Sequence, residues 1–512
     1  MKPLILNRDV QGWFVIFALT IISLVLQEHL SWMSKYPKDQ IVPFADWLNF
    51  LMEILIKYLG WFFLGISWLL EWPIKGAQWL LHSLPWAVIV FLISLTAYIA
   101  SGWRLTFFTL LATFYMVVIG YWEESMNTLA LVMISVPLSI IIGFGIGIWG
   151  FYSKKAEKVI MPALDIFQTV PTFAYLLPIL LLFGFGTVVG LIASILYSFP
   201  PMVRNTILGL RRVPAEIIES GTMSGATAWQ LFWQVRVPSS IRQLLLGVNQ
   251  ATMASLSMVI IAAIIGGTAD IGWEVLYYIR KAEVGQSLVV GIVIALMAIV
   301  IDRITSGLAL KSDYHPQQRT NIWDKYKFIF VAGFGVLVLF VLANFFVILK
   351  DWPYNVNTWL AGHLNDLFIS FVKNFRSEIK LLKTYALFFV MLPTKIGLHE
   401  AISPFTWGFK MTLLHKILYF VVFLVLAGWL LRGGKKTIAI TLLFFMIFMY
   451  FGLTHMPWPA LILIYSFTAW KIGGRKLALG TIVGLSFIVV VGMWSEAMIS
   501  VYLCGIAVVF CF

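Results

Sequence analysis

The most patterned polar passage in this 512-residue chain is Ala215–Ser240, AEIIESGTMSGATAWQLFWQVRVPSS. It is too polar to cross a bilayer and too regular to be a slack loop. Glu219 can accept hydrogen bonds or pair with a base on a partner. Gly225 permits close backbone approach or a tight turn, and Pro238 stops a helix. These properties suit a short docking helix rather than a catalyst. The sequence has no GxxxxGK[ST] phosphate-binding loop, so ATP is not bound by the chain in that way. His399–Ser403, HEAIS, begins like a zinc motif but lacks the second His. GxSxG does not occur. Cys504 and Cys511, the two cysteines, lie in an apolar run and form neither a CxxC site nor a disulfide framework.

Other polar groups fall inside apolar runs: Gln168, Thr169 and Thr172 around Pro171 near the start of one, Asn205 in the next, and Asn249, Gln250, Ser255 and Ser257 in a third. Polar groups are costly in hydrocarbon unless they face the interior of a helix bundle. There they either line a path for a solute or bond across helices. Asp302 and Arg303, at a helix end, read as a local pair or an interface anchor. No carboxylate stands mid-span in this part of the chain, which disfavours a proton-coupled secondary carrier.

Elements that could hold such groups follow from composition. Hydrophobic residues make up 61% and charged residues 12%, against about 25% charged in soluble domains. The chain therefore reads as a polytopic, all-α membrane protein of the inner membrane. Its net charge of +13 does not point to nucleic acid, because Lys and Arg sit in short loops between spans. SKKAEK at Ser153–Lys158, together with Arg211 and Arg212, marks the cytoplasmic side and places both the N-terminus and the segment 211–240 there. Residues 1–83 read as one span followed by a Trp-rich segment lying in the outer interface. Residues 84–310 form a core domain, 311–327 a polar cytoplasmic linker, and 328–512 a second beginning.

That second beginning repeats the first in register. LPWAVIVFLISLTAYIASGWRL is matched by MPWPALILIYSFTAWKIGGRKL, and VVIGYWEESM by IVVVGMWSEAM. Trp86 pairs with Trp458, Gly102 with Gly474, Gly120 with Gly492, Trp122 with Trp494, Glu124 with Glu496 and Met126 with Met498, each 372 residues apart. Internal repeats are common in transporters. The second copy reaches Phe512, the counterpart of Ile140 in mid-span. The sequence therefore reads as a fragment of a longer tandem protein, with its second docking segment beyond Phe512.

The segment 219–238 resembles the cytoplasmic signature of permease subunits of ABC importers: E-A-A, three residues, G, nine residues, then I-x-L-P. Glu219-Ser220-Gly221 stand for the first triplet. Gly225, followed by Ala226, stands for the glycine. Val235-Arg236-Val237-Pro238 stand for the end. The flanks LDIFQTVPTFAYLLPILLLFGFG, SFPPMVRNTILGLRRVP and GVNQATMASLSMVIIAAIIGG are similar to the glycine betaine/proline/choline class. The resemblance implies a type I importer permease fold, here with about 14 spans of roughly 20 residues, the last incomplete. It implies import of glycine betaine, choline or proline by alternating access. The residues coupling the spans to an ATPase would be Glu219, Ser220, Gly221, Gly225, Ala226, Val235 and Pro238. The partners implied are a dimer of ATPase subunits, which holds ATP and Mg, an extracytoplasmic solute-binding protein, a second permease copy and the bilayer. No cofactor is implied in this chain, which would not itself be an enzyme. The many aromatic residues read as interface anchors, because in this class the substrate's aromatic cage sits on the binding protein. The competing reading from the residues alone is a channel or secondary carrier for small solutes.

Overall fold

The computed structural model describes residues 8–27, 29–266, 270–311, 322–350, 352 and 357–511. Among these the chain is helical and has no strand. The principal helices, in chain order, are α1 (Arg8–Leu26), α2 (Phe44–Ser83), α3 (Trp86–Ser101), α4 (Trp103–Ile119), α5 (Trp122–Tyr152), α6 (Lys154–Thr169), α7 (Thr172–Phe183), α8 (Thr187–Arg211), α9 (Ala215–Met223), α10 (Ile241–Gly266), α11 (Ile271–Arg280), α12 (Val284–Lys311), α13 (Ile322–Phe345), α14 (Asn357–Asn374), α15 (Arg376–Tyr385), α16 (Leu413–Arg432), α17 (Lys436–Phe451), α18 (Trp458–Val490) and α19 (Trp494–Cys511).

Eight helices among the described residues are long and apolar enough to cross a membrane. The number is nine if α6 and α7, bent by 96° at the Val170–Pro171 break, form one broken span. The expectation of about 14 spans, made on the ~20-residue crossing length, also counted shorter apolar helices such as α3, α4 and α17. Length and composition carry eight or nine. The segment read as interfacial contains one continuous helix of 40 residues, α2. At about 1.5 Å per residue it is roughly 60 Å long, twice the ~30 Å hydrocarbon core.

The chain forms two compact units, residues 51–371 and residues 1–50 with 372–512. They interleave along the sequence, and residues 312–321 of the linker lie outside the described residues.

The 51–371 unit is built on α5, α8 and α10. One face of α5 presents Ser135, Ser139, Gly143, Gly147 and Gly150, all buried. Their spacing of three or four residues stacks them on a single stripe. The Ser135 hydroxyl lies 2.6 Å from that of Ser255 on α10, and Ser139 lies 2.6 Å from Ser198 on α8. Further along, a Cβ on Gly143 would lie 2.7 Å from Met202 Cβ, and one on Gly147 would lie 2.5 Å from Thr206 Cβ. Close packing of small residues and hydroxyl pairs replaces the hydrophobic driving force that is absent between helices in lipid.

The repeat is visible in the backbone of both units. Gly102, between α3 and α4, has φ 78° and ψ −166°; Gly474, inside α18, has φ 76° and ψ −167°. Each breaks a helix with a conformation that only glycine takes easily. The Trp86 indole N–H donates to the Ile348 carbonyl at 2.9 Å, within the first unit. The Trp458 indole donates to the Trp32 carbonyl at 2.9 Å, within the second. In both, the accepting carbonyl lies on a short 3-10 turn that follows a packing helix, α13 against α3 and α1 against α18.

Candidate functional site

The polar segment folds as the brief helix α9 and a second helical stretch from Ala228 to Ser239. Between them Gly225 adopts φ 78° with no heavy atom within 4 Å of an added Cβ. Within the chain it serves the turn, with φ in the left-handed region. The Ala226 N–H donates to Gly221 O at 3.2 Å and the Gly225 N–H to Thr222 O at 3.0 Å. This pair of bonds satisfies the last carbonyls of α9 around a left-handed residue. Gly221, which stands where the signature has alanine, is the position of close contact. A Cβ there would meet Leu231 Cδ1 at 2.9 Å and Val235 Cγ2 at 3.2 Å.

Thr227 starts the second stretch with a capping box: its hydroxyl accepts from the Gln230 N–H, and the Gln230 side chain accepts from the Thr227 N–H. Residues Leu231–Arg236 then widen into a π-turn. Pro238 does not stop this helix as expected; the helix ends one residue later, at Ser239, and α10 begins at Ile241. The proline has no N–H for the carbonyl four residues back and crowds it. The wider turn relieves the crowding, and the Val237 N–H donates to Phe232 O instead. The same pairing recurs at the π-turn Ala386–Met391, two residues before Pro393.

Aromatic side chains fasten the segment to the end of α5. Phe232 is buried, its ring 5.9 Å from that of Tyr152. Trp233 lies 6.0 Å from Phe144, and the Arg236 guanidinium lies 5.2 Å over the Phe151 ring. Trp229 stays exposed against Trp233. On the outer side Glu216, Glu219, Ser220 and Met223 are exposed, Met223 to 89%. The segment therefore offers solvent an acidic edge beside an uncovered methionine, while Ala226 and Val235 are half-buried.

Two ion pairs hold α6 along α8: Arg204 with Asp165 at 2.5 Å, and Arg211 with both oxygens of Glu157 at 2.5 Å. Ala156, Ile160 and Leu164 pack against Phe199, Val203 and Ile207 between them.

The intramembrane polar residues separate into two groups. Gln168, Thr169 and Pro171 stand exposed at the α6–α7 break, and Ser257 is exposed on α10 with its hydroxyl turned back to Met253 O at 3.0 Å. Asn205, Asn249 and Gln250 are engaged with other helices. Asn205 Nδ2 donates to Gln250 Oε1 at 2.8 Å, and Asn249 Nδ2 donates to Ser306 Oγ at 2.7 Å and Asp302 Oδ1 at 3.2 Å. Asp302 is thus bonded across helices to Asn249, not locally to Arg303 as expected. Gln243, which donates to Asn205 Oδ1 at 2.5 Å, was missed. Its seven-residue spacing from Gln250 was the available signal, because it puts both amides on one helix face.

Residues 135–311 match the family model described as binding-protein-dependent transport system inner membrane component. The glycine betaine transport system permease protein OpuAB of Bacillus subtilis is 34% identical over 279 residues, 54% of this chain and 98% of the relative. The glycine betaine/proline betaine transport system permease protein ProW of Escherichia coli is 35% identical over 285 residues, 56% of this chain and 80% of the relative. The trimethylamine N-oxide transport system permease protein TmoV of Ruegeria pomeroyi is 30% identical over 356 residues, 66% of this chain. The match spans about half, 53%, of that relative's length.

Proposed function

This chain belongs to the binding-protein-dependent transport system inner membrane components, and from that membership we propose that it is the permease of an ATP-driven importer of small quaternary amines and related compatible solutes. The relatives are named for glycine betaine, proline betaine and trimethylamine N-oxide. These solutes share a substituted, positively charged nitrogen beside a negative oxygen. The substrate class proposed is therefore a small zwitterion of that kind, with choline and proline as competitors to be tested.

The observation that carries the reading is the segment 215–239. It is anchored to α5 by buried Phe232, turned at Gly225, and exposed along Glu216, Glu219 and Met223. Such a surface suits docking into a groove of an ATPase subunit, with Glu219 facing a base there. Ser220, Gly221, Gly225, Ala226, Val235 and Pro238 shape the segment. Two ATPase subunits would hold ATP and Mg, and a loaded binding protein would dock on the opposite face. The basic run Lys154–Lys158 and the pair Arg211–Arg212 support a cytoplasmic segment and a cytoplasmic N-terminus in the inner membrane. We assign the solute path to the exposed polar side chains Gln168, Thr169 and Ser257, with Pro171 at the break between α6 and α7. The inter-helix bonds of Asn205, Asn249 and Gln250 suit them to transmitting movement.

Deletion of residues 216–238 tests the docking role. A nucleotide-binding subunit should co-purify with the unaltered chain and be lost with the deletion; its retention would refute the assignment. Uptake of labelled glycine betaine in competition with choline, proline and trimethylamine N-oxide identifies the solute. Uptake that persists without any ATPase subunit would favour the secondary carrier.

A further inference from the structure

We infer that Asn205 is the positioning residue that makes α8 and α10 move as a single lever when the segment between them is displaced; this rests on the coupling role proposed above. α8 leads into the segment 215–239 and α10 leads out of it. Asn205 is 7% exposed. Its amide donates to Pro201 O and to Gln250 Oε1, both at 2.8 Å, and accepts from Gln243 Nε2 at 2.5 Å. One side chain of α8 thus grips α10 at two points two turns apart. A buried amide engaged in this way has little capacity left for a solute, so Asn205 does not line the path.

Backbone shape reinforces the grip. Gly247 lies between the two glutamines, and a Cβ there would stand 2.8 Å from Asn205 Cβ. Nearer the segment, Gly209 brings α8 within 3.0 Å of Gln243 Cβ on the same test. Past Asn205, Pro200 and Pro201 deny donors to the carbonyls of Leu196 and Tyr197, the place where α8 bends most easily. The lever is therefore stiff between Asn205 and the segment and compliant beyond it. Movement passes on to α12 through Asn249, whose amide nitrogen shares its two hydrogens among Ser306, Asp302 and Thr305 at 2.7, 3.2 and 3.2 Å. A cavity of about 360 Å³ opens beside these bonds, walled by Arg242, Gln243, Leu246, Asn249, Ser306 and Leu310. It leaves α12 room to shift against α10.

The test uses the full chain with its nucleotide-binding subunits and binding protein in liposomes, with ATP hydrolysis and uptake of labelled glycine betaine measured together. Asn205→Ala should leave subunit association and hydrolysis within about two-fold while uptake per ATP falls about ten-fold, inside the range of coupling energies carried by residues that contact neither ligand. The double variant Gln243→Ala with Gln250→Ala keeps Asn205, removes the same two cross-helix bonds, and should give the same split. In a chain whose exposed Cys504 and Cys511 are replaced by serine, spin labels at Leu208→Cys and Leu246→Cys, both on exposed positions of the two arms, should report one narrow distance through the ATP cycle. The distribution should broaden with Asn205→Ala. Parallel loss of hydrolysis and uptake, unchanged uptake per ATP, or an unbroadened distance would each overturn the inference. If no nucleotide-binding subunit joins the unaltered chain, the proposed function falls and the lever falls with it.

Discussion

Single residues in the docking segment do separable jobs. Within the chain an added Cβ at Gly225 meets open space, so the cost of its replacement to the fold of the segment is conformational. Gly225→Ala should cost about 1 kcal/mol of segment stability, the typical penalty for a left-handed non-glycine residue, and Gly225→Asn less. The readout is the amount of nucleotide-binding subunit recovered with each variant, highest for the native glycine and lowest for alanine. Phe232 works by burial against Tyr152. Phe232→Ala should cost about 3 kcal/mol locally, by analogy with buried aromatic truncations, and should free the segment from α5. Amide exchange over residues 228–239 would report the release, and native-like protection there would contradict the anchor. Gly147 is the steric counterpart. Gly147→Val places methyl groups where Thr206 already stands at 2.5 Å, and overpacking of this kind costs about 1–3 kcal/mol or more. A lower unfolding midpoint in detergent should follow, whereas the same change at exposed Gly145, with open space around it, should leave the midpoint unchanged.

Among the elements, the paired proline and π-turn explains how the second half of the segment keeps its aromatic anchors in place. The extra residue in Leu231–Arg236 rotates Phe232 and Trp233 toward α5. Pro238→Ala restores an N–H able to bond Gln234 and removes the reason for the wider turn. The turn should contract into an α-helix and turn Phe232 away. Association with the ATPase subunit should fall although no contact residue has changed. Unchanged association would show that the π-turn has another cause. The α6–α8 pairing is a weaker element. Its ion pairs are each exposed on at least one side, Asp165 to 67% and Arg211 to 40%, and exposed pairs contribute about 1 kcal/mol or less. Arg211→Ala should therefore matter little at high salt, where screening has already removed most of the attraction.

At the scale of the whole molecule, the two units cross the chain order. α1 packs on α18, where Phe467 closes on Gly12, and α13 packs on α3, where Phe91 closes on Gly335. Each tryptophan bond, Trp86 to Ile348 and Trp458 to Trp32, also joins parts of the chain far apart in sequence. A chain cut within residues 312–321 and expressed as two pieces should therefore hold together in mild detergent, with a tag on either piece retaining the other. Trp86→Phe and Trp458→Phe keep the ring and lose one hydrogen bond each, worth about 1 kcal/mol. Together they should weaken retention; pieces that separate freely even with both tryptophans present would contradict the crossed arrangement.

Much of this was legible before any coordinates. Apolar run length, basic loops and the 372-residue register carried the membrane class and the repeat and singled out the polar segment 215–240, because these are properties of composition and spacing along one chain. The break at Gly102 and Gly474 was readable as a glycine pair in register, though not as a helix break. The roles of Gly225 and Gly221 were not readable. One is a turn and the other a close contact, and only the path of the following helix distinguishes them. The same holds for Asn205, Asn249 and Gln250, whose types leave path-lining and cross-helix bonding both open until α8, α10 and α12 bring their partners within hydrogen-bond range. A polar group in an apolar run is costly wherever it lies, so the sequence shows that it must be satisfied. Whether a solute or another helix satisfies it is decided by which helices are neighbours, and that is set by small-residue packing between segments tens of residues apart.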